Sequence, residues 1–173
     1  MKHLLTTTDK EITGSLKLSA QEPRIAVNAV LFDSDNNIAI SYMGSWNLHT
    51  LVGGGVDEGE ELLAAVEREV WEEAGCKCEI TGEIGQIYEN SGERDHTQRR
   101  YYYFAKVVGE KGKLHLTDEE IEADVTVCWL TPEKALQIIT DNKTATLQQE
   151  YIRRRDIAVL QEVINTTLHQ TKL

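Results

Sequence analysis

Apolar and polar positions in the first third of the chain predict a buried β-hairpin. From Arg24 to Phe32 nearly every position is apolar, which is typical of a strand buried on both faces. The segment from Asp33 to Asn37 is rich in turn-forming residues. The apolar pattern resumes from Ile38 to Met43, so the two strands are predicted to pair.

The rest of the chain alternates predicted strands and helices. Residues 1–22 are weakly patterned and fit either a frayed N-terminal extension or an added edge strand. The mixture predicts one α/β domain over residues 1–173 with a mixed β-sheet. The remaining predicted elements are a short strand within Gly44–Leu51, a glycine loop at Gly53–Gly55, a helix over Glu60–Ala74 ended by Gly75, β-rich segments at Cys78–Tyr88 and Gln98–Val108 around a polar loop Glu89–Thr97, a strand at Val125–Leu130, and helices over Pro132–Ile139 and Thr146–Leu168.

Charge and composition narrow the classes of partner. The chain has 173 residues and a formal net charge of −11. Such a surface repels nucleic acid unless a basic patch intervenes, and small phosphorylated substrates meet the same repulsion unless divalent metal ions offset it. No apolar run reaches the roughly 18 residues of a membrane span, and residues 1–10 lack the features of a signal peptide. With three cysteines that fit reduced thiols, we expect a cytoplasmic protein.

The predicted helix Glu60–Ala74 carries three carboxylates on one side. On a wheel of about 100° per residue, Glu72 lies at about −60° and Glu73 at about +40° from Glu69. Like charges at this spacing repel, and clustered carboxylate oxygens are the ligands that Mg²⁺ prefers. A solvated acidic face is the alternative for a glutamate-rich helix. The glycine loop just before the helix favours the metal site.

Residues 54–76 resemble the Nudix box, a pattern of glycine, glutamate, arginine–glutamate, an aliphatic residue, glutamate–glutamate, glycine and a final aliphatic residue at fixed gaps. Cys76 replaces the final aliphatic residue, and Val52 stands where the family often has proline, which leaves loop rigidity and subfamily open. The order of the flanking strands extends the resemblance to about residues 24–140. The matching residues are Gly54, Glu60, Arg68, Glu69, Val70, Glu72, Glu73 and Gly75.

The resemblance implies a Nudix-type α/β/α sandwich and hydrolysis of a diphosphate linkage in a nucleoside diphosphate derivative or a nucleoside triphosphate. It implies a site for Mg²⁺, with Mn²⁺ as the alternative ion. The implied metal ligands are Glu69, Glu72, Glu73 and the carbonyl oxygen of Gly53. The implied structural positions are Gly54, Glu60 and Gly75, and the implied catalytic group comprises Arg68, Glu72 and Glu73.

The sequence does not identify a single residue as the general base. In the resembled family this role falls on a glutamate of the box or on one from a distant loop. Here the acidic segment Thr117–Glu122 precedes a predicted strand, and Glu120 is its candidate for the base or an extra metal ligand. A helix N-terminal turn after Thr117 accounts for the same acids equally well.

Candidates for substrate contact lie outside the box. Trp46 precedes the glycine loop, Arg99 flanks the polar loop, and Tyr103 belongs to an aromatic run whose side chains must alternate between two faces. An aromatic ring can stack on a nucleobase, and an arginine can bind phosphate. Core packing is the favoured alternative for the tyrosine, and a core or rim position is the favoured alternative for Trp46. A soluble loop is the alternative for Arg99.

The last predicted helix contains the only compact basic cluster, Arg153–Arg155. We interpret these arginines as a solvated face beside Glu150 and not as a nucleic-acid site. An apolar stripe follows them and fits either packing on the same domain or a homodimer. The stripe consists of Ile157, Leu160, Ile164 and Leu168.

These observations favour a metal-dependent pyrophosphohydrolase that acts on a small nucleotide. One alternative is an RNA 5′-end pyrophosphohydrolase, which needs a basic groove that the net charge argues against. Another is a non-catalytic Nudix-like ligand-sensing module. Such a module would be expected to lose glutamates of the box, and this chain retains them.

Overall fold

The computed structural model describes residues 1–170, with side chains as far as residue 167. Within that range, seven strands form one sheet and four α-helices pack on it. The strand order is β1-β5-β6-β2-β3-β4, and β7 pairs with β3. The strands are β1 (His3–Thr8), β2 (Arg24–Phe32), β3 (Ile38–Met43), β4 (Leu48–Leu51), β5 (Lys77–Ser91), β6 (His96–Val108) and β7 (Val125–Leu130). The helices are α1 (Leu62–Ala74), α2 (Asp118–Glu122), α3 (Pro132–Thr140) and α4 (Leu147–Gln170).

Strand β2 lies at the centre of the sheet, because its apolar run leaves neither face suited to solvent. It pairs with β6 in parallel along its whole length. The predicted hairpin with β3 is present, but it opens after a single pair of residues, Phe32 and Ile38. The glycine loop then lies along β2, where the Val27 amide donates to the Gly54 carbonyl at 3.0 Å. The central strand therefore fixes the position of that loop.

Helix α1 covers one face of the sheet, and α3 and α4 cover the other. On the first face Val27 and Tyr103 belong to a core cluster with Val66 of α1. On the second face Val30 belongs to a cluster with Leu160 of α4. Two helical layers around a mixed sheet confirm the predicted α/β/α sandwich.

The predicted polar loop Glu89–Thr97 is wrong, because β5 and β6 continue through most of it. Strand pairing extends to Ser91 opposite His96, which leaves a turn of only four residues. Several polar side chains in this hairpin are buried, and the Asn90 side chain accepts from the Ser19 amide at 2.8 Å. The polar residues of this segment therefore belong to a partly buried, hydrogen-bonded hairpin and not to an exposed loop.

The N-terminal segment contains an edge strand, one of the two forms considered for residues 1–22. Strand β1 pairs with β5 in parallel. A short 3₁₀ turn follows at Asp9–Glu11. The buried Asp9 carboxylate accepts from the Tyr151 hydroxyl at 2.8 Å and from the Glu93 amide at 2.8 Å. These bonds join the segment to α4 and to the β5–β6 turn.

Two residues of the predicted apolar stripe of α4 pack on its own domain: Leu160 is fully buried in the core, and Ile157 packs against that core. The side chain of Leu168 lies outside the described residues. The basic cluster divides: Arg153 and Arg154 both pair with Glu150, whereas Arg155 is buried and binds Asp156. The homodimer stays a prediction. No helix in the described part of the chain is long and apolar enough to cross a membrane.

Candidate metal centre and active site

A cavity of about 700 Å³ opens where the glycine loop, α1 and α2 meet. Helix α1 forms here because its apolar side, which includes Val66 and Val70, packs on the sheet and leaves the glutamates facing the loop. The helix begins at Leu62, two residues after the predicted start. Glu60 stays in the loop, because its carboxylate binds the Asp57 amide and Arg68.

Three carboxylates converge on this cavity: Glu69 and Glu72 from α1 and Glu120 from α2. One oxygen from each lies within 4.8 Å of an oxygen from each of the others. Such an all-oxygen donor set at this separation suits a hard divalent cation such as Mg²⁺. Burial raises the pKa of Glu69 to about 7, although Arg68 opposes the shift. A cation would displace that proton on binding.

A capping box at the start of α2 holds the Glu120 side chain in place. Its Oε2 atom accepts from the Thr117 amide at 2.7 Å and from the Thr117 hydroxyl at 2.9 Å. The Thr117 hydroxyl in turn caps α2 by accepting from the Glu120 amide. The acidic segment therefore starts a capped helix, and Glu120 also lines the cavity. Its role as a base or an extra metal ligand stays a prediction.

Arg68 connects the loop to the helix. Its Nε and Nη2 atoms donate to the two oxygens of Glu60 at 2.9 Å each, and Nη2 also donates to the Gly55 carbonyl at 2.8 Å. Its Nη1 atom donates to Glu69 at 2.9 Å and to Glu72 at 3.0 Å. The guanidinium therefore holds two glutamates of the cluster while it anchors the loop. These contacts raise the pKa of Arg68 above its ordinary value, chiefly through the Glu60 hydrogen bonds.

Glu73 lies behind the cluster and not in it. Its side chain is buried, and Oε2 accepts from the Gly53 amide and from the Ser41 hydroxyl, both at 2.9 Å. Burial raises the pKa of Glu73 to about 8, against the lowering effect of the Gly53 amide. The geometry gives this residue a direct hold on the glycine loop, a contact that the helical wheel did not reveal. Its predicted role as a metal ligand stays a prediction.

Two glycines permit the close approach of loop and helix. Gly53 has a φ of +137°, and a Cβ there would lie 2.3 Å from the Val27 carbonyl oxygen. A Cβ on Gly54 would lie 2.5 Å from a carboxylate oxygen of Glu69. The neighbouring carbonyls of Val52, Gly54 and Gly55 accept hydrogen bonds from the protein. The role of the Gly53 carbonyl as a ligand stays a prediction, and Gly75 ends α1 as the pattern indicated.

The predicted substrate residues separate in the structure. Trp46 lines the cavity. Tyr103 lies 4% exposed in the core beneath α1, because its position in the strand alternation points it there. Arg99 lies over the Tyr88 ring and donates to Gln86, and it does not line the cavity within the described chain. The structure therefore places neither Tyr103 nor Arg99 beside the carboxylates of the cavity.

Sequence reasoning missed two residues at the site. Arg24 lines the cavity, with its guanidinium beside Gly55. Ser41, on β3, donates from its hydroxyl to Glu73 at 2.9 Å. Neither belongs to a local motif, and only the register of the sheet brings them to the site.

Comparisons with known proteins agree with this geometry. The family profile described as NUDIX domain matches residues 22–154. A search of the curated proteins found no match.

Three solved structures illustrate the similarity of fold. A NUDIX hydrolase from Nitrosomonas europaea shares 18% identity at a TM-score of 0.59, covering 78% of this chain and 89% of its own. An Ap4A hydrolase from C. elegans, in a binary complex, shares 16% identity at a TM-score of 0.60, covering 84% and 98%. A MutT protein from Methanosarcina mazei Go1 shares 19% identity at a TM-score of 0.52, covering 79% and 95%.

Proposed function

Because the chain belongs to the Nudix family and is a hydrolase of pyrophosphate bonds, we propose that it hydrolyses a diphosphate linkage in a nucleoside diphosphate derivative or a nucleoside triphosphate. We propose that the reaction depends on Mg²⁺, with Mn²⁺ as a substitute. The observation that carries this proposal is the convergence of Glu69, Glu72 and Glu120 within 4.8 Å beside the glycine loop.

The residues fit the proposed cation by their donor chemistry. Glu69, Glu72 and Glu120 would hold it through carboxylate oxygens, with the Gly53 carbonyl as the proposed further ligand. A bound Mg²⁺ supplies charge neutralisation for phosphate oxygens and a lowered pKa for water. In a chain of net charge −11, this neutralisation is what allows an anionic substrate to enter an acidic cavity.

We assign the remaining roles, positioning and proton transfer, to three side chains of the site. Arg68 orients Glu69 and Glu72 and holds the loop through Gly55. Glu73 accepts from the Gly53 amide and so holds the glycine loop against α1. Glu120 is the proposed proton acceptor or further ligand, since its cap bonds involve Oε2 and its other oxygen is available to the cavity.

Hydrolysis of a substrate panel tests the proposal. Nucleoside triphosphates, dinucleoside polyphosphates, ADP-ribose and nucleotide sugars are offered to the purified protein with Mg²⁺, with EDTA, and with EDTA followed by excess Mg²⁺. We expect turnover of at least one class, lost in EDTA and restored by Mg²⁺. The Glu72→Gln variant should lose this activity. The matched control is Glu67→Gln, an exposed glutamate of the same helix that does not line the cavity. Equal activity of wild type and Glu72→Gln would overturn the proposal.

A further inference from the structure

A second cavity of about 210 Å³ lies between the sheet and α4 and adjoins the carboxylate cavity. The two cavities share five lining residues, among them Arg24, Trp46 and Glu73. A molecule bound at the carboxylates can therefore extend into the second cavity.

Positive charge is concentrated in the second cavity. Four of the eight arginines in the chain line it: Arg24, Arg94, Arg100 and Arg155. The acidic residues of its lining are Glu73 and Glu89, and Asp156 pairs with Arg155 from outside the lining. Burial lowers the pKa of His96, a further lining residue, which disfavours the charged form of this imidazole. An excess of positive charge inside a protein of net charge −11 favours an anionic occupant.

Two buried charged groups of the lining retain unused hydrogen-bonding atoms. Arg100 is 5% exposed and Glu89 is 3% exposed. Among the residues that the structure describes, Arg100 Nε and Glu89 Oε1 have no hydrogen-bond partner. Leaving such atoms unpaired is costly, more so for charged groups. A ligand that accepts from Arg100 would remove part of that cost.

The remaining bonds of Arg100 make it a fixed part of the site. Its Nη1 atom donates to the Asn28 side chain, and Asn28 donates to the carbonyls of Leu51 and Val52 at 2.9 and 3.0 Å. Those carbonyls directly precede Gly53, which Glu73 holds. One continuous set of hydrogen bonds therefore joins the floor of the arginine cavity to the glycine loop.

Arg94 provides the more accessible wall of the cavity. It lies in the β5–β6 turn, half-buried, with its guanidinium 5.7 Å from the centre of the Tyr151 ring. Planar guanidinium groups bind phosphate and carboxylate with paired, directional hydrogen bonds. The lining thus combines a buried, pre-positioned arginine with one that can adjust to a ligand.

We propose that this arginine cavity is an anion subsite, which binds a phosphate monoester or carboxylate carried by the substrate at the end remote from the hydrolysed diphosphate. The inference rests on the proposed function, because it places the scissile diphosphate at Glu69, Glu72 and Glu120. The arginine cavity would favour those diphosphate substrates that bear an additional anionic group.

Inorganic phosphate in EDTA isolates the subsite from the metal centre. Without a divalent cation the carboxylate cavity repels phosphate, so heat measured by calorimetry reports the arginine cavity. We expect saturable binding to the wild type and at least about tenfold weaker binding to Arg94→Gln, since a hydrogen bond to a charged group is lost. The matched control is Arg154→Gln, which removes the same charge from α4 outside the cavity. Absent binding to the wild type, or equal binding to Arg94→Gln, overturns the proposal.

A second variant changes the affinity in the opposite direction. Glu89→Gln keeps the shape of the side chain and removes a negative charge from the lining, so phosphate should bind several-fold more tightly. Unchanged or weaker binding would contradict the assignment, provided that circular dichroism shows the variant folded. A loss of structure cannot increase affinity. Tighter binding to Glu89→Gln would therefore show that the weaker binding to Arg94→Gln reflects an anion site.

Competition distinguishes the substrate's own anionic group from a separate phosphate effector. With a substrate identified by the panel, inorganic phosphate should compete in the wild type, and the inhibition constant should rise about tenfold in Arg94→Gln. Non-competitive inhibition would instead indicate an effector and overturn the assignment to substrate. Because the calorimetry requires neither metal nor turnover, a failed hydrolase assay would leave the test of the subsite intact.

Discussion

Replacing Glu120 by glutamine should stabilise the metal-free protein and weaken its response to Mg²⁺. Glutamine also serves at the third position of a capping box, so the change removes charge while it preserves the bonds to Thr117. Two unit charges 4.8 Å apart, the limit within the cluster, repel by about 1 kcal/mol in water and about 3.5 kcal/mol at an effective dielectric constant of 20. Glu120 faces two such charges, which Arg68 partly offsets.

From these values we expect the metal-free variant to gain about 1 to 2 kcal/mol, or about 2 to 8 °C in melting temperature for a domain of this size. With Mg²⁺ the loss of a ligand should weaken affinity at least about tenfold, which removes about 1.4 kcal/mol of stabilisation at a fixed concentration of the ion. The wild type should therefore gain more from Mg²⁺ than the variant does.

Thermal unfolding in EDTA and in Mg²⁺ at pH 8.5 measures both effects, since Glu69 is then ionised. Asp118→Asn is the control, because it removes one charge from the same short helix outside the cavity lining. A lower metal-free melting temperature for Glu120→Gln, with an unchanged shift in Mg²⁺, would refute the reasoning and leave Glu120 as a helix cap alone.

Three further predictions concern the loop, its anchor and α4. Glu73→Gln should lose most turnover and keep its fold, because it removes a carboxylate that lines the cavity while its amide oxygen can still accept from Gly53; steady-state kinetics and circular dichroism check this, and normal activity would contradict it. Gly53→Ala should cost several kcal/mol in urea unfolding, since its Cβ would meet the Val27 carbonyl at 2.3 Å; a cost below 1 kcal/mol would show that the loop relaxes. Hydrogen bonds from Arg153 and Arg154 hold the pKa of Glu150 at about 2, below its ordinary 4.5. Its contribution to stability is therefore present above pH 4.5 and is lost as the pH falls towards 2. Glu150→Gln should cost about 1 to 2 kcal/mol at pH 7 and flatten that part of the acid unfolding curve; an unchanged curve would contradict the assignment.

The sequence was most informative where the site depends on local spacing. A helix brings residues three and four positions apart to one side, so the neighbourhood of Glu69 and Glu72 follows from periodicity. The same wheel placed Glu73 in the acidic arc, yet its environment depends on Ser41 and on the Gly53 amide. Those partners belong to other elements, and no helical wheel contains them.

Strand alternation gave a comparable result for the aromatic run. Adjacent positions must face opposite sides of the sheet, and Tyr102 and Tyr103 indeed belong to different cores. The alternation alone does not tell which face carries a ligand cavity. Arg100, one residue from Arg99, reaches the second cavity only because α4 covers that face. The polar segment Glu89–Thr97 resembles a loop in the sequence because burial by a helix distant in the chain leaves no local signal.

The bond between Asp9 and the Tyr151 hydroxyl has a consequence for the order of assembly during synthesis. Its partners are separated by 142 positions, and β1 must wait for β5 before it can pair at all. A nascent chain that has emerged only as far as α2 contains every carboxylate of the cluster, but it lacks the helix that closes the arginine cavity. The residues of the proposed cation site are therefore synthesised before the helix that completes the proposed anion subsite.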